Sequence, residues 1–256
     1  MPFNNDKNGY QNETAFIKKL NNKEFKKVDY GLQLFLEDIF DNVKNDDRII
    51  CFRNPKPQKY DIFIKVNGIT KRISIKKGVK NSVHAEDIND FIVFLKYINM
   101  PKYMINNFLK YHFADGTTNG SGNHRISATE YKKEHQHEID EINAFINKND
   151  ILIKAIDRFV IQGRNSIDKI DAILYGVPED FIWIKRNDIY NILLLHKYKY
   201  STSIHFSDLT YQPLDRCLNN NPKYEKNRYK SQIKWYNISD DIIENMGINS
   251  TNQVYR

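Results

Sequence analysis

The sequence has few cysteines, few glycines and no long apolar segment. Only two cysteines occur among 256 residues, so neither a disulfide framework nor a paired-cysteine zinc site is expected. Ten glycines and seven prolines are too few for a low-complexity chain. No apolar run reaches the roughly 20 residues that a membrane-spanning helix needs, and the N-terminus lacks the apolar segment of a signal peptide. We therefore expect a cytoplasmic protein with no membrane partner.

The composition favours a packed core and an anionic partner. Hydrophobic residues make up 40% of the chain, with 16 tyrosines and 15 phenylalanines, which is enough apolar surface to form a core. The 39 basic and 32 acidic residues give a net charge of +7. A basic surplus favours binding to anionic surfaces, nucleic acid among them.

The most informative segment is residues 60–77, which predicts a β-hairpin. Two strand-forming runs flank Asn67-Gly68, and this dipeptide is a strong signal for a two-residue type I′ turn because both positions need positive φ. A turn at these two residues places Asp61 directly across from Ser74.

The alternation of side chains along the two strands predicts one apolar and one polar face. The apolar face contains Ile62, Ile64, Val66, Ile69, Ile73 and Ile75. The polar face contains Asp61, Phe63, Lys65, Thr70, Arg72, Ser74 and Lys76. A carboxylate therefore lies opposite a hydroxyl and diagonal to an ammonium group, on a strand pair whose reverse side packs into a core.

The residues Asp61, Ser74 and Lys76 resemble the active-site motif of the PD-(D/E)xK nuclease superfamily, to which many type II restriction endonucleases belong. The resemblance covers less than half of the chain and departs from the motif twice. Tyr60 occupies the position of the proline, and Ser74 occupies that of the second acid. The alternation places the three motif residues together, and the resemblance assigns them a catalytic role.

One branch of restriction enzymes also carries Ser-x-Lys and takes its second acid from the following helix. By this resemblance Glu86 fills that role here, with Asp87 as the neighbouring alternative, and Asn81 or Ser82 is expected to cap the helix. Superfamily members often add an acid from a helix before the hairpin, and Glu37 is the matching position. An ordinary surface glutamate explains Glu37 equally well.

The resemblance implies a Mg²⁺-dependent endonuclease that hydrolyses double-stranded DNA. Asp61, Glu86 and Glu37 would be metal ligands, because Mg²⁺ prefers oxygen donors and retains several waters. Lys76 would orient or deprotonate the attacking water, or stabilise the developing charge. Type II enzymes of this superfamily usually act as homodimers, so a homodimer is implied as well.

The resemblance and the order helix, strand, hairpin, helix imply an α/β (α+β) fold. We expect a restriction-endonuclease-like mixed central sheet flanked by helices, with further helical and β elements in the C-terminal half. We expect one nuclease domain over 1–256. Within it, 13–113 would be the catalytic core half, and 126–256 would add the remaining core strands and DNA-recognition elements.

Two features of the second half bear on function. Asp171 leads an apolar strand and is the closest rival to Asp61, but no acid-x-Lys or Ser-x-Lys strand follows it. The segment 219–236 interleaves basic with aromatic residues, a pattern suited to phosphate contacts and base contacts and equally to an ordinary surface strand. The candidate DNA-binding residues are Arg216, Asn219, Asn220, Lys223, Arg228, Lys230 and Lys234.

Two other functions remain open at this level. A nuclease fold that has lost its metal site would bind nucleic acid without cutting it, and Ser74 in the acid position is the argument for it. A nuclease of phage defence or repair would have the same residues as a restriction enzyme. The loop at 114–125, with three glycines, is a candidate mobile loop that meets DNA.

Overall fold

The computed structural model describes residues 5–78, 81–122, 125–164, 166–195, 203–214 and 222–249. Its helices are α1 (Asn5–Leu20), α2 (Tyr30–Ile39), α3 (Ile88–Tyr97), α4 (Lys102–Phe113), α5 (Ala128–Glu134), α6 (Gln136–Ile146), α7 (Asn149–Ile156), α8 (Arg186–Leu195) and α9 (Ile238–Asn249). Its strands are β1 (Lys23–Glu24), β2 (Arg48–Arg53), β3 (Ile62–Val66), β4 (Ile69–Lys76), β5 (Ser82–Asp87), β6 (Ala172–Val177), β7 (Asp180–Lys185), β8 (His205–Phe206), β9 (Leu209–Pro213) and β10 (Lys230–Trp235).

The described residues form a mixed α/β structure with two sheets, which confirms the predicted fold class. One sheet has the order β1-β2-β3-β4-β6-β7 and the other has the order β5-β10-β9-β8. All pairings in the first sheet are antiparallel except that of β4 with β6, which is parallel. The hairpin β3-β4 therefore occupies the middle of the first sheet, where strands from the second half of the sequence complete it.

The chain divides into two compact units, each built from several segments. The first contains residues 1–81, 160–192 and 237–256, and the second contains 82–159 and 193–236. The expectation of one nuclease domain with halves at 13–113 and 126–256 stays a prediction.

The core of the first unit lies between its sheet and the helices α1 and α2. Phe16 and Leu20 of α1 and Phe35 of α2 are fully buried with the apolar face of the hairpin. These helices form because their apolar residues recur at the spacing of one helix face. Cys51 of β2 belongs to this core, as its apolar neighbours predict, and burial raises the pKa of its thiol to about 12.

The second unit contains a cluster of aromatic side chains around Phe91 of α3. The Phe91 ring stacks on Phe108 and Phe159 with centroid distances of 5.2 and 5.4 Å, and it also contacts Phe206 and Tyr211. Such pairs stabilise a core beyond the area they bury.

One predicted element is wrong. The capping residues Asn81 and Ser82 predict that the helix after the hairpin begins there, whereas residues 82–87 form strand β5 and α3 begins at Ile88. Strand β5 pairs with β10, more than 140 residues further along the chain, with Glu86 opposite Ser231. This long-range ladder outweighs the local capping signal, because strand formation depends on pairing partners more than on local propensity.

Candidate active site

The hairpin has the predicted turn and register. Asn67 and Gly68 have φ of 49° and 83°, as a type I′ turn requires. Ile62 pairs with Ile73, and Val66 pairs with Ile69. The apolar face is buried except at Ile69, which follows the turn directly and is 49% exposed.

The side chain of Asp61 is fixed at the open end of this hairpin. Its backbone N–H donates to the Ile73 carbonyl at 2.9 Å. Its Oδ2 accepts hydrogen bonds from the Ile75 backbone N–H at 2.5 Å and from Ser74 Oγ at 3.2 Å. Lys76 Nζ lies 3.8 Å from the same oxygen. The structure thus brings together the three motif residues that the sequence predicts.

The burial of these three side chains suits different roles. Ser74 is 2% exposed, so its hydroxyl reaches Asp61 from inside the fold. The side chains of Asp61 and Lys76 are 23% and 24% exposed. The buried Ser74 hydroxyl and the Ile75 N–H therefore hold the Asp61 carboxylate in place. The ammonium group of Lys76, next to this carboxylate, is accessible to a substrate.

A further carboxylate, that of Glu13, belongs to this group of charges and was missed at the sequence level. Glu13 lies on α1, which contacts β2, β4 and β6. Burial raises the pKa of Glu13, and the negative charge of Asp61 raises it further, whereas Arg53 and Lys76 act in the opposite direction. Glu13, Arg53, Asp61 and Lys76 therefore form one electrostatically coupled cluster.

Arg53 of β2 orients the Glu13 side chain. Its guanidinium forms an ion pair with Glu13 and also donates to Thr14 Oγ1 at 2.7 Å and to the Tyr10 carbonyl at 3.0 Å. The sequence carries a signal for this arrangement, because Glu13 precedes the buried Phe16 by three positions. That spacing puts Glu13 at the edge of the helix face that packs on the sheet.

Glu37 lies on α2 with an exposed side chain. Its neighbour Asp38 makes the contacts instead: it accepts a hydrogen bond from Trp183 Nε1 at 2.8 Å and pairs with Lys185 at 2.7 Å. The role of Glu37 as a metal ligand stays a prediction.

Glu86 lies on strand β5 in the second unit and is held by its own neighbours. Arg158 NH2 lies 2.5 Å from Glu86 Oε2, and His84 Nε2 lies 3.3 Å from Oε1. Burial alone would raise the pKa of Glu86, but His84 and Arg158 together hold it below its usual value. With its side chain 5% exposed, Glu86 would have to leave these partners to bind a metal. Asp87, the alternative acid, directly precedes α3.

The rival acid Asp171 has a structural role. Its carboxylate accepts a hydrogen bond from the Arg72 backbone N–H at 2.8 Å, and its own N–H donates to the Arg72 carbonyl at 2.7 Å. Arg186 lies 3.6 Å from the other carboxylate oxygen. Asp171 therefore fixes the start of β6 against β4.

Two of the candidate DNA-binding residues make contacts within the protein. Arg228 donates to the Gly122 carbonyl at 2.7 Å and pairs with Asp115 at 3.3 Å, so it holds the loop after α4. Lys234 is 8% exposed, with its ammonium group 5.3 Å from the Tyr236 ring centroid. A role of these two residues in DNA binding stays a prediction.

Of the remaining candidates, Lys230 is exposed at the start of β10. Arg216, Asn219 and Asn220 lie outside the described residues, and for Lys223 only the backbone is described.

The loop after α4 is fastened by Asp115. The Asp115 carboxylate accepts from the Thr117 backbone N–H at 2.9 Å and from the Gly122 N–H at 3.0 Å. An added Cβ at Gly122 would lie 2.3 Å from the Asp115 carbonyl oxygen. The described part of this predicted mobile loop is thus closed by its own hydrogen bonds.

The donor set around Asp61 suits a hard divalent cation. In the part of the chain that the structure describes, no group of three or more His, Cys, Asp or Glu side chains is placed so that it could hold a metal ion. Two coupled carboxylates, Asp61 and Glu13, nevertheless match Mg²⁺, which takes one or two carboxylates and completes its shell with waters and substrate phosphate oxygens. A cation at this position would also relieve the repulsion that raises the pKa of Glu13.

A search of solved structures finds a similar fold. The crystal structure of restriction endonuclease MspI in complex with its cognate DNA aligns with a TM-score of 0.54 at 11% sequence identity, and the alignment covers 90% of this chain and 89% of that chain. This chain has a restriction-endonuclease-like fold. No family model matches the sequence, and no curated protein matches it. Among the described residues, no helix is long and apolar enough to cross a membrane.

Proposed function

We propose that this protein is a Mg²⁺-dependent endonuclease of type II restriction type that hydrolyses phosphodiester bonds in double-stranded DNA. The observation that supports it most is the contact set of Asp61, in which Ser74, the Ile75 N–H and Lys76 converge on one carboxylate oxygen. This set lies in the sheet of a restriction-endonuclease-like fold, and the similar structure is a complex with DNA.

Asp61 and Glu13 would hold the metal. Glu13 is preferred over the sequence candidates Glu37 and Glu86 because its helix, α1, contacts β4, and because the charges of Asp61 and Lys76 both act on the pKa of Glu13. When bound, Mg²⁺ lowers the pKa of a water and neutralises charge on the phosphate. Arg53 keeps the Glu13 carboxylate in place.

The other residues of the hairpin would position Asp61 and the attacking water and would stabilise the charge that develops on the phosphate. The Ser74 hydroxyl and the Ile75 N–H fix the Asp61 rotamer, which leaves its second oxygen, Oδ1, for a ligand. Lys76 orients the attacking water or stabilises the negative charge that develops on the phosphate. Lys230, exposed on β10, would contribute to binding the DNA backbone.

The proposal is tested by plasmid cleavage with Mg²⁺, using wild type, Asp61→Asn and Asp180→Asn. Asp180 is an exposed aspartate of the same sheet and serves as the matched control. We expect wild type and Asp180→Asn to cut, and Asp61→Asn to bind DNA in a gel-shift assay without cutting. Equal cutting by both variants would refute the proposed metal ligand.

A non-catalytic DNA-binding protein is the second candidate function. It is favoured by Ser74 in place of the second acid and by the lack of a three-residue metal cluster among the described residues. DNA binding by wild type with no cleavage under any divalent cation would support it.

A restriction role is separated from phage defence or repair by mapping the cut ends, since one short sequence at every cut is expected only for a restriction enzyme.

A further inference from the structure

An exposed aromatic ring lies next to the proposed cleavage site, on the same face of the first sheet. Phe52 of β2 pairs with Phe63 of β3, and Phe63 pairs with Arg72 of β4. Because side chains alternate along a strand, these three residues form one row on the face that carries Asp61 and Ser74. The row lies two residues from Asp61 and Ser74, which is about 7 Å along the strands.

The face is open at this row and covered further along the sheet. Phe52 is 45% exposed, and Phe63 is half-buried. On β6 and β7 the same face carries Ile173 and Ile184, which pair with each other and are 1% and 2% exposed. The sheet therefore buries this face at β6 and β7 and presents an aromatic ring to the solvent at β2, beside the proposed site.

The Phe52 ring is supported from behind by two further rings. It stacks on Phe63 with a centroid distance of 4.9 Å and an interplanar angle of 28°, and Phe63 meets Tyr60 edge to face at 4.9 Å. Tyr60 is 4% exposed, and its hydroxyl donates to Asp168 Oδ2 at 3.3 Å. Arg72 pairs with the other Asp168 oxygen at 3.0 Å. The exposed ring is thus supported in one orientation before a ligand arrives, which reduces the entropy that binding costs.

The chemistry of the row fits a nucleobase better than a second copy of the chain. Every base has a π-face and can stack on an aromatic side chain, and Lys65 and Lys76 on the same face favour a polyanion. An aromatic side chain buries about 150–250 Å². Two such rings therefore provide less than the roughly 800 Å² per partner that a stable protein interface buries.

The distance from Asp61 determines which base the ring can reach. Successive nucleotides of one strand lie about 3.4 Å apart along the duplex axis, so a row about 7 Å from Asp61 is within reach of the nucleotides on either side of a phosphate bound there. We propose that Phe52, backed by Phe63, stacks on the base of a nucleotide next to this phosphate and so positions the phosphate for cleavage. The inference rests on the proposed function, because it takes Asp61 as the place of a DNA phosphate. Apolar side chains that contact bases in this way open the base step that they enter.

Photo-crosslinking of the full chain tests the inference. The protein carries Asp61→Asn, so that it does not cut, and the probe is a pool of random-sequence duplexes in which 5-iodouracil replaces thymine. Under near-ultraviolet light this base bonds to an aromatic side chain that stacks on it. Complexes are recovered by gel shift, and mass spectrometry of the tryptic digest locates the adduct. We expect it on the peptide of residues 49–53, in which Phe52 is the one aromatic residue.

Phe52→Leu is the diagnostic variant, because it removes the ring and keeps an apolar side chain. Tyr30→Leu is its control, since Tyr30 of α2 is another exposed ring of the first unit, with 63% of its surface accessible. We expect Phe52→Leu to weaken DNA binding about tenfold and to lose the adduct, with the melting temperature unchanged. Phe52→Trp should retain both affinity and adduct, and Tyr30→Leu should behave as the parent protein does.

The outcomes separate this inference from the proposed nuclease activity. DNA binding with adducts only outside residues 49–53, or unchanged affinity in Phe52→Leu, would overturn the inference and leave cleavage untouched. A DNA-free dimer that Phe52→Leu converts to a monomer would assign the ring to a contact between copies and would also overturn it. The adduct on Phe52 together with a wild type that does not cut DNA would support the stacking contact and refute the nuclease. No DNA binding at all would overturn both.

Discussion

Ser74 occupies the position where the PD-(D/E)xK motif, which this hairpin resembles, carries an acid. The structure shows what the serine does there. Its hydroxyl donates to Asp61 from a buried position. A second carboxylate at this buried position would lie beside Asp61 in a low-dielectric environment, where two like charges raise each other's pKa. A hydroxyl avoids that repulsion within the hairpin. In the proposed site the second charge would come from Glu13 on α1, where Arg53 and Lys76 oppose the effect of Asp61 on its pKa.

At this scale we predict that Glu13→Gln lowers the Mg²⁺-dependent cleavage rate by about 100-fold or more, whereas Glu37→Gln leaves it within a factor of about two. Glutamine keeps an oxygen for Arg53, so the fold is retained, but it removes the charge that a metal needs. The check is a single-turnover rate measured across a Mg²⁺ titration. A large loss of cleavage rate in Glu37→Gln with none in Glu13→Gln would show that the second acid is Glu37 on α2 and not Glu13.

A second prediction at the residue scale concerns His112, whose ring lies buried between Tyr211 and the Arg228 carbonyl. Its Nε2–H donates to the carbonyl at 2.9 Å, so its Nδ1 accepts from the Tyr211 hydroxyl at 2.6 Å. Burial lowers the pKa of His112 to about 3. The unfolded chain binds a proton below about pH 6.5 that the folded chain does not bind, so the folded state loses stability as the pH falls.

From pH 7.5 to pH 5 this proton lowers the free energy of unfolding by about 2 kcal/mol. We expect His112→Gln to be less stable at pH 7.5 but to lose less on acidification, as measured by urea unfolding at both pH values. The exposed His137→Gln is the control and should keep the wild-type dependence. An unchanged pH dependence in His112→Gln would show that another group carries the effect.

At the scale of elements, local signals were sufficient for the hairpin and insufficient for its neighbours. Asn67-Gly68 predicts the turn, the register and the position of Asp61 opposite Ser74, because a two-residue turn leaves only one register. Strand β5 and the parallel pairing of β4 with β6 depend on partners distant in sequence. For that reason the sequence places Glu86 on a helix rather than on a strand. It does not point to Glu13, because the strands against which α1 packs come later in the chain.

The prediction at this scale concerns the contact of Asp171 with the Arg72 backbone. Asp171→Ala should lower the free energy of unfolding by about 1–3 kcal/mol, because it leaves a part-buried N–H of β4 without its acceptor. Asp61→Asn keeps an oxygen acceptor for the Ile75 N–H, so its stability should change less. Thermal unfolding of both variants gives the comparison, and the reverse order would contradict the structural role of Asp171.

At the scale of the whole molecule, the proposed function requires both strands of DNA to be cut. One cluster of Glu13, Asp61 and Lys76 lies in the described part of the chain, so two copies of the chain would supply the two sites. We predict a complex of one DNA duplex with two 30.4 kDa chains. Light scattering of the Asp61→Asn variant with short duplexes checks this, and one chain per duplex at saturation would contradict it. Because the chain has a net charge of +7, its affinity for DNA should fall as the salt concentration increases.

The most direct test of the central claim compares two lysines of the same hairpin. Lys76 lies 3.8 Å from Asp61 Oδ2, and Lys65 is an exposed lysine on β3. We predict that Lys76→Ala lowers the single-turnover cleavage rate about 100-fold or more with DNA affinity nearly unchanged, while Lys65→Ala cuts at the wild-type rate. If the two variants cut DNA equally fast, the hairpin is not the site of phosphodiester hydrolysis.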